Sequence, residues 1–198
     1  MDLTTIKEIL VSVAAIITSC VAVKGLFIWR DQLKGTDKYK LSKVILMKTY
    51  NLQEAIMSVR MPFVSSAELS QRESEIAIKE KETEQEKMIR NEAYALWKRT
   101  EPMFETVSEL RVSKFEAMAL FGKDSVPDIN AIIGKAYELR NAQVGYFRMK
   151  IDPSTKNEAL MDKYWRIVYE MPEEEDDFRK EVDNCVVKIE NIFRDYLK

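Results

Sequence analysis

The sequence predicts an all-α protein in which one N-terminal transmembrane helix precedes a cytoplasmic antiparallel bundle of about five helices. Three observations favour this class. An uncharged run from Ile9 to Val23 continues past Lys24 as far as Trp29. Only five glycines and five prolines occur among 198 residues, a composition that favours helix over sheet. Most of the remaining chain repeats apolar residues with a period of about 3.6 residues, which is typical of amphipathic helices.

Residues 9–29 form the predicted span, and residues 1–8 form a short extracytoplasmic tail before it. At about 1.5 Å per residue the span measures roughly 31 Å, which matches the hydrocarbon core of a bilayer. The stem of Lys24 is long enough for its ammonium group to reach the headgroups near Trp29. We expect the membrane interface to contain Lys24, Trp29, Arg30 and Lys34.

Two other interpretations of this run are less favoured. A cleaved signal peptide has a basic n-region and a small-residue cleavage site, whereas Asp2 and Glu8 here offset Lys7 and no such site precedes Arg30. A buried core helix would suit the strictly uncharged stretch, which is shorter than the whole span and is interrupted by Lys24.

Basic residues on one flank predict the orientation of the span. They follow it as Arg30, Lys34, Lys38, Lys40, Lys43 and Lys48, with only Asp31 and Asp37 against them. Because such residues stay on the cytoplasmic side, we expect the N-terminus outside and residues 30–198 in the cytoplasm. The layout is typical of single-pass proteins of the bacterial inner membrane.

Small residues recur every four positions inside the span. They form one strip with Ala14, Thr18 and Ala22 and a second with Ala15 and Ser19. Strips of this kind allow two membrane helices to approach closely, so they are candidates for helix association.

Residues 30–60 are interpreted as a basic juxtamembrane region followed by an amphipathic helix. Gly35 predicts a helix end, and a new helix is expected from Asp37 to Arg60. Its basic residues Lys38, Lys40, Lys43 and Lys48 have two interpretations. They contact anionic lipid, or they form the solvated face of a bundle helix.

Residues 61–198 are predicted to form the bundle. A loop at 61–70 leads into a long helix, for which Ser65 with Glu68 and Ser70 with Glu73 have the spacing of a capping box. Residues 79–87 contain no apolar side chain and predict a solvated stretch of that helix. Pro102 predicts a kink in preference to a split, and Gly122 predicts the helix end.

Three further helices complete the predicted bundle. One covers about 126–150 and starts with a Ser125 cap and an early Pro127. Another opens at Asp152-Pro153 and ends at Pro172, and the last follows the apolar stripe from Phe178 to Tyr196. Gly134 and Gly145 share one helix face, where they would permit a close helix crossing.

Two absences restrict the chemistry. The chain has no histidine and only two cysteines, Cys20 and Cys185, which excludes His-dependent triads, a disulfide framework and a four-ligand zinc site. The five carboxylates at 173–177 lack the spacing of a calcium loop and are interpreted as the first turn of a helix. A net charge of −2 argues against nucleic-acid binding. We predict no catalytic residue, no metal ligand and no cofactor.

Tethering is the function that these patterns favour most. The first hypothesis is a non-enzymatic membrane-anchored adaptor or scaffold that binds an unknown protein partner or its own copies through its cytoplasmic helices. The alternative is a membrane effector or signalling component that acts through assembly of its transmembrane helix. An enzyme that uses carboxylates or lysines is the weakest hypothesis.

Overall fold

The computed structural model describes residues 2–76 and 82–197, without the side chains of residues 3–9 and 153. Over these residues the protein is all-helical and contains no strand. The helices are α1 (Leu3–Arg60), α2 (Ser66–Glu75), α3 (Glu84–Phe121), α4 (Pro127–Ile151), α5 (Glu158–Val168) and α6 (Asp177–Phe193). Short 3₁₀ turns occupy Lys123–Ser125, Pro153–Thr155 and Arg194–Leu197.

The chain divides into two compact units, of which the first ends at Lys40 and the second begins at Leu41. In the first unit every side chain from residue 10 to residue 37 is exposed. Among the described residues, α1 is the one helix long and apolar enough to cross a membrane, with a stretch of mean hydropathy 2.1 that has no buried residue. The core-helix alternative requires burial of this stretch, and the structure shows none.

The predicted helix end at Gly35 is wrong, because α1 continues through it. Gly122 is the one described glycine with a positive φ, so Gly35 does not take the left-handed conformation of a helix end. The neighbouring Thr36 hydroxyl donates to the carbonyl of Gln32, 2.9 Å away, as a helical residue can. One interior glycine costs a helix only about 1 kcal/mol, which is too little to end it.

In the second unit α1 contributes a continuous buried face. Its members recur at alternating spacings of three and four residues, and each is at most 1% exposed: Ser42, Ile45, Thr49, Leu52, Ile56 and Val59. This is the heptad spacing of packed helices. This face of residues 41–60 therefore belongs to the protein core and is not available to lipid.

Polar contacts identify the neighbours of α1. Lys48 on α1 donates to the carbonyl of Glu109 (3.2 Å) and to the hydroxyl of Ser113 (3.1 Å), both on α3. Gln53 donates to Asp183 on α6 at 2.7 Å. The second half of α1 therefore packs between α3 and α6.

Helices α3 and α4 lie side by side and run in opposite directions. The ring centroids of Phe104 and Tyr137 are 5.1 Å apart. Towards one end Lys114 donates to Asn130 (3.1 Å), and towards the other Lys150 pairs with Glu92 (3.2 Å). Residue numbers that rise on one helix while they fall on the other define this antiparallel pair.

The single long helix predicted to begin in the 65–70 region is wrong. The Ser65–Glu68 capping box is present, but α2 ends at Glu75. Ser70 lies inside α2 and donates to the carbonyl of Ala67. A second capping box, formed by Thr83 and Glu86, starts α3 at Glu84. Of the predicted charged stretch, residues 79–81 lie outside the described residues.

Proline and glycine lie at the ends of α3 and α4 largely as predicted. α3 runs through Pro102 as one helix, which excludes the split, and it ends at Gly122 with φ +92°. Pro127 is the first residue of α4, but the predicted Ser125 cap is wrong. The Ser125 hydroxyl donates back to the carbonyl of Gly122 at 2.7 Å, and Val126 occupies the cap position.

The last two helices start later than predicted. α5 opens at Glu158 under an Asn157 cap and ends at Val168, because a 3₁₀ turn follows Asp152. α6 opens at Asp177 under an Asp176 cap, so Asp177 alone of the acidic run at 173–177 lies in the first helical turn. The apolar stripe of α6 is buried from Phe178 to Phe193 as predicted, but its predicted last member, Tyr196, lies in the following 3₁₀ turn and is exposed.

The close crossing expected at the α4 glycines occurs at Gly145 alone. A Cβ atom at this position would overlap the ring of Tyr164 on α5, whereas a Cβ at Gly134 would meet nothing within 4 Å. Gly145 is therefore required by packing between α4 and α5.

Alanine substitution separates the two glycines. We expect Gly145→Ala to lower the free energy of unfolding by about 1–2 kcal/mol, because overpacking outweighs the gain in helix propensity. Gly134→Ala should raise it by about 0.5–1 kcal/mol. Chemical denaturation followed by circular dichroism measures both values. Equal effects at the two sites would contradict the close contact with Tyr164.

Candidate functional site

Arg60, the last residue of α1, is fully buried and connects this helix to the α5–α6 segment. Its guanidinium donates to Asp176 at 2.9 Å and to three backbone carbonyls, those of Arg166 (3.0 Å), Ile167 (2.8 Å) and Tyr169 (2.9 Å). Its own carbonyl accepts from the N–H of Glu170 at 2.9 Å. The end of α1 is thereby held against the end of α5.

Asp176 completes this buried pair. Its carboxylate accepts from the backbone N–H groups of Met171 (3.1 Å) and Arg179 (2.9 Å) as well as from Arg60. Burial alone would raise the pKa of Asp176, but the bonds from Arg60 and the two N–H groups outweigh it and lower the pKa. The Phe178 ring lies 4.9 Å from the Arg60 guanidinium carbon. Because all of these partners belong to the protein itself, the Arg60–Asp176 pair has a structural role.

A second arginine organises the contact between α2 and α3. Arg72 pairs with Glu82 and donates to Asn91 at 3.2 Å. Asn91 in turn donates to Glu73 (2.9 Å), which pairs with Lys87 (3.1 Å). The sequence predicts solvated charged residues from Glu82 to Lys87, yet the Glu82 side chain is only 10% exposed. Ion pairs therefore bury part of the charged stretch.

A third arginine holds the loop between α1 and α2. Arg99 donates to the carbonyls of Met61 (2.8 Å) and Phe63 (2.6 Å) and pairs with Glu68 at 2.7 Å. The bond from Arg99 and the capping bonds from Ser65 lower the pKa of Glu68 to about 2, despite the opposing effect of burial. The loop is therefore fixed at both of its ends.

This fixed loop presents a large apolar side chain to solvent. Phe63 is 74% exposed, and Met88 on α3 is 71% exposed. A groove of about 610 Å³ lies beside these two residues, with Val64, Leu69 and Ile89 among its apolar lining. We call it the Phe63–Met88 groove. Exposed apolar side chains on a preformed loop are the usual feature of a docking surface.

The Phe63–Met88 groove also has a polar lining, which includes Glu92 and Lys150. Glu92 accepts from the Tyr169 hydroxyl at 2.5 Å and pairs with Lys150 at 3.2 Å. Burial and the bond to Glu92 raise the pKa of Tyr169, so its hydroxyl stays a proton donor. The Lys150 ammonium lies 5.1 Å from the centre of the Tyr146 ring. These polar side chains suit binding, because the Tyr169 hydroxyl and the Glu92 carboxylate already form a hydrogen bond with each other.

The groove lies far from the point where the second unit begins. Arg60 directly precedes the loop that carries Phe63, and it is 19 residues after Leu41 on the same helix. At 1.5 Å per residue these two ends of the helical segment are about 29 Å apart.

The predicted interface and association residues lie on the exposed part of α1. Trp29 is 58% exposed, and the Arg30 guanidinium lies 5.4 Å from the centre of the Phe27 ring. In the small-residue strips, the Thr18 hydroxyl donates to the Ala14 carbonyl (2.8 Å) and the Ser19 hydroxyl to that of Ala15 (2.9 Å). Both hydroxyl protons are therefore used within α1.

The four lysines proposed to meet lipid fall into different environments. Lys40 and Lys43 are exposed, whereas Lys38 is half-buried. Lys48 is also half-buried and holds α1 to α3. Lys48, which contacts α3, therefore differs in environment from the exposed Lys40 and Lys43.

Sequence reasoning missed both the Arg60–Asp176 pair and the groove. The sequence indicates Arg60 only as a helix end, since its partner lies 116 positions away. The groove had a weak signal, because Met61-Pro62-Phe63-Val64 is unusually apolar for a loop. Among the described residues, no three His, Cys, Asp or Glu side chains are grouped to hold a metal ion.

Comparisons with known proteins add no relative. No protein-family model matches the chain, and searches of curated proteins and of solved structures gave no match.

Removal of the Arg60 guanidinium should be far more damaging than removal of an exposed one. Arg60→Met leaves Asp176 buried without its counter-charge, which should cost about 3–5 kcal/mol of unfolding free energy. Arg166→Met removes an exposed pair with Asp162 and should cost less than about 1 kcal/mol. Denaturant titration of both variants measures the difference. Similar losses would show that the buried pair is not a central connection.

The Glu68 carboxylate should contribute to the pH dependence of stability. Because its pKa is lowered from 4.5 to about 2, its contribution is present above about pH 4.5 and is lost as the pH falls towards 2. Glu68→Gln should therefore be less stable than the wild type at neutral pH, and the gap should narrow between pH 4.5 and 2. Melting temperatures across this range test it, with the exposed Glu158→Gln as control. A constant gap would contradict the assignment.

Proposed function

We propose that this protein is a single-span, membrane-anchored helical adaptor or scaffold. In this proposal residues 9–29 cross the bilayer after an outer tail of residues 1–8, and residues 30–198 lie in the cytoplasm. The observation that carries the docking role is the Phe63 loop, which Arg99 fixes while the ring stays 74% exposed. A protein that holds an apolar ring in water on a rigid loop has a surface prepared for a partner.

The exposed apolar part of α1 supports the anchor. A soluble protein rarely exposes a continuous apolar surface of this length, whereas a bilayer covers it favourably. The basic residues that follow Trp29 support a cytoplasmic second unit and an inner-membrane location. Lys40 and Lys43, which are exposed, are the residues that we propose to contact anionic headgroups.

The cytoplasmic part is proposed to be one antiparallel bundle. The α3–α4 pair and the contacts of α1 with α3 and α6 support this arrangement. We include a bend of α3 at Pro102, because proline cannot donate to the Lys98 carbonyl and its ring crowds that turn. A bundle of this kind would keep the groove rigid.

Charge placed inside the span should release the protein from membranes. Two arginines in Ile16→Arg/Ile17→Arg should cost about 5–7 kcal/mol of insertion free energy, from about 2.5–3.5 kcal/mol each. We expect the variant in the soluble fraction after carbonate extraction, with the helical content of the second unit retained. Val187→Arg, at an exposed site of the second unit, is the matched control and should remain in the membrane fraction.

Replacement of residues 9–29 by an unrelated apolar span of equal length distinguishes the adaptor from an effector. If the protein is an adaptor, the chain with the replaced span should keep both membrane retention and docking, since the span acts only as an anchor. If the chain with the replaced span stays in the membrane but loses its activity, the result would instead support the effector hypothesis. Membrane retention of the two-arginine variant would contradict the anchor itself.

A further inference from the structure

The second half of α1 carries two fully buried hydroxyl groups that have no hydrogen-bond partner among the described residues. Ser42 and Thr49 are both 0% exposed and lie seven residues apart on the core face of the helix. A buried hydroxyl without a partner costs stability, because it has given up its bonds to water and has gained none in return. The packed position of this part of α1 therefore carries a penalty that a wholly apolar face would not carry.

The exposed part of the same helix shows how such hydroxyls are usually satisfied. The hydroxyls of Thr18 and Thr36 each donate to the carbonyl four residues earlier in the chain, at 2.8 Å and 2.9 Å. Ser42 and Thr49 lack this bond, because packing against the neighbouring helices fixes their rotamers. Release of that packing would let each hydroxyl turn towards a carbonyl of its own helix.

Polar bonds from α1 to other helices begin only in the middle of its core segment. From Leu41 onward, Lys48 is the first described residue that makes such a bond. Its ammonium donates to the carbonyl of Glu109 at 3.2 Å and to the hydroxyl of Ser113 at 3.1 Å. Both acceptors are neutral, so these bonds are weaker than those of an ion pair.

The rest of α1, residues 50–60, is held more firmly. Tyr50 and Gln53 donate to carboxylates of α6, and Arg60 forms the buried pair with Asp176. Apolar burial does not separate the two segments, since each has three large buried residues: Leu41, Ile45 and Leu46 in the first, and Leu52, Ile56 and Val59 in the second. Polar groups therefore decide which segment is released more easily.

We propose that residues 41–49 form a conformational switch, in which this segment of α1 swings away from α3 and α6 while residues 50–60 stay in place. Lys48 holds the closed state through its two bonds to α3. Apolar burial makes the closed state the major one. The open state is the one in which the hydroxyls of Ser42 and Thr49 are satisfied, and this difference in bonding is what the switch depends on.

The position of the hinge follows from Thr49. A threonine hydroxyl that bonds to the carbonyl four residues earlier often bends its helix, so the bend falls between the two segments. Opening uncovers the core around Ile45, whereas the loop that follows Arg60 keeps its place. The switch goes beyond the proposed function, because an anchor and a docking groove do not require it.

The test measures how fast a water-soluble thiol reagent reaches single cysteines in the full chain, held in lipid nanodiscs. The two native cysteines are replaced in a Cys20→Ala/Cys185→Ala background. Ile45→Cys and Ile56→Cys then report on the two segments, since both isoleucines are 0% exposed. Circular dichroism of each variant confirms that it is folded.

We expect position 45 to react at least tenfold faster than position 56. In the Ile45→Cys chain, Ser42→Ala/Thr49→Val should slow the reaction at least tenfold, because the closed state loses its unpaired hydroxyls. Lys48→Met should speed the reaction severalfold, because it removes both bonds to α3. Thr100→Val is the matched control and should leave the rate unchanged, since that buried hydroxyl already donates to the carbonyl of Trp97 at 2.7 Å.

Equal rates at positions 45 and 56 would show that the core opens only as a whole, and they would overturn the proposal. An unchanged rate at position 45 after removal of the two hydroxyls, or after Lys48→Met, would overturn it as well. Hydrogen exchange of the unmodified chain is an independent measurement. The amides of residues 41–49 should exchange faster than those of residues 52–60, because a helix loses protection when its packing is released, and equal protection would also overturn the proposal.

Discussion

The buried Arg60–Asp176 ion pair is the interaction on which the second unit most depends. Arg60 ends α1 and Asp176 caps α6, so one contact fixes the ends of two helices. The bonds to Ile167 and Tyr169 add the end of α5. Because the Phe63 loop starts directly after Arg60, the same contact also sets where the groove begins.

Charges are costly to bury unless every polar atom finds a partner. The protein meets this cost with arginines that each bond to several groups in the chain. Arg60 holds the α5–α6 segment, Arg72 joins α2 to α3, and Arg99 fixes the loop of Phe63. Backbone carbonyls of connecting segments are acceptors for two of the three. Each connection is thereby ordered by a guanidinium group.

Periodicity predicted the long helices well, because a repeated apolar face leaves few alternatives. α4 and α6 were placed within a few residues, and Gly122 was identified as a helix end. Local signals for the ends of helices gave wrong predictions where another local preference opposed them. Gly35 did not end α1, and the Thr83–Glu86 cap was hidden in a charged run. Contacts between distant positions leave no local pattern, so the Arg60–Asp176 pair could not be found in this way, and the groove had only the weak signal of its apolar loop.

The proposed anchor changes what the groove must achieve. Two proteins held in one membrane with the same orientation meet at a much higher effective concentration than two free proteins. An apolar surface of moderate size can then be sufficient for association, although the same surface would be weak in solution. A fixed loop adds to this advantage, because little further ordering of its backbone is needed on docking. In this proposal the anchor supplies proximity, and the rigid Phe63 loop supplies a surface that is ready to use it.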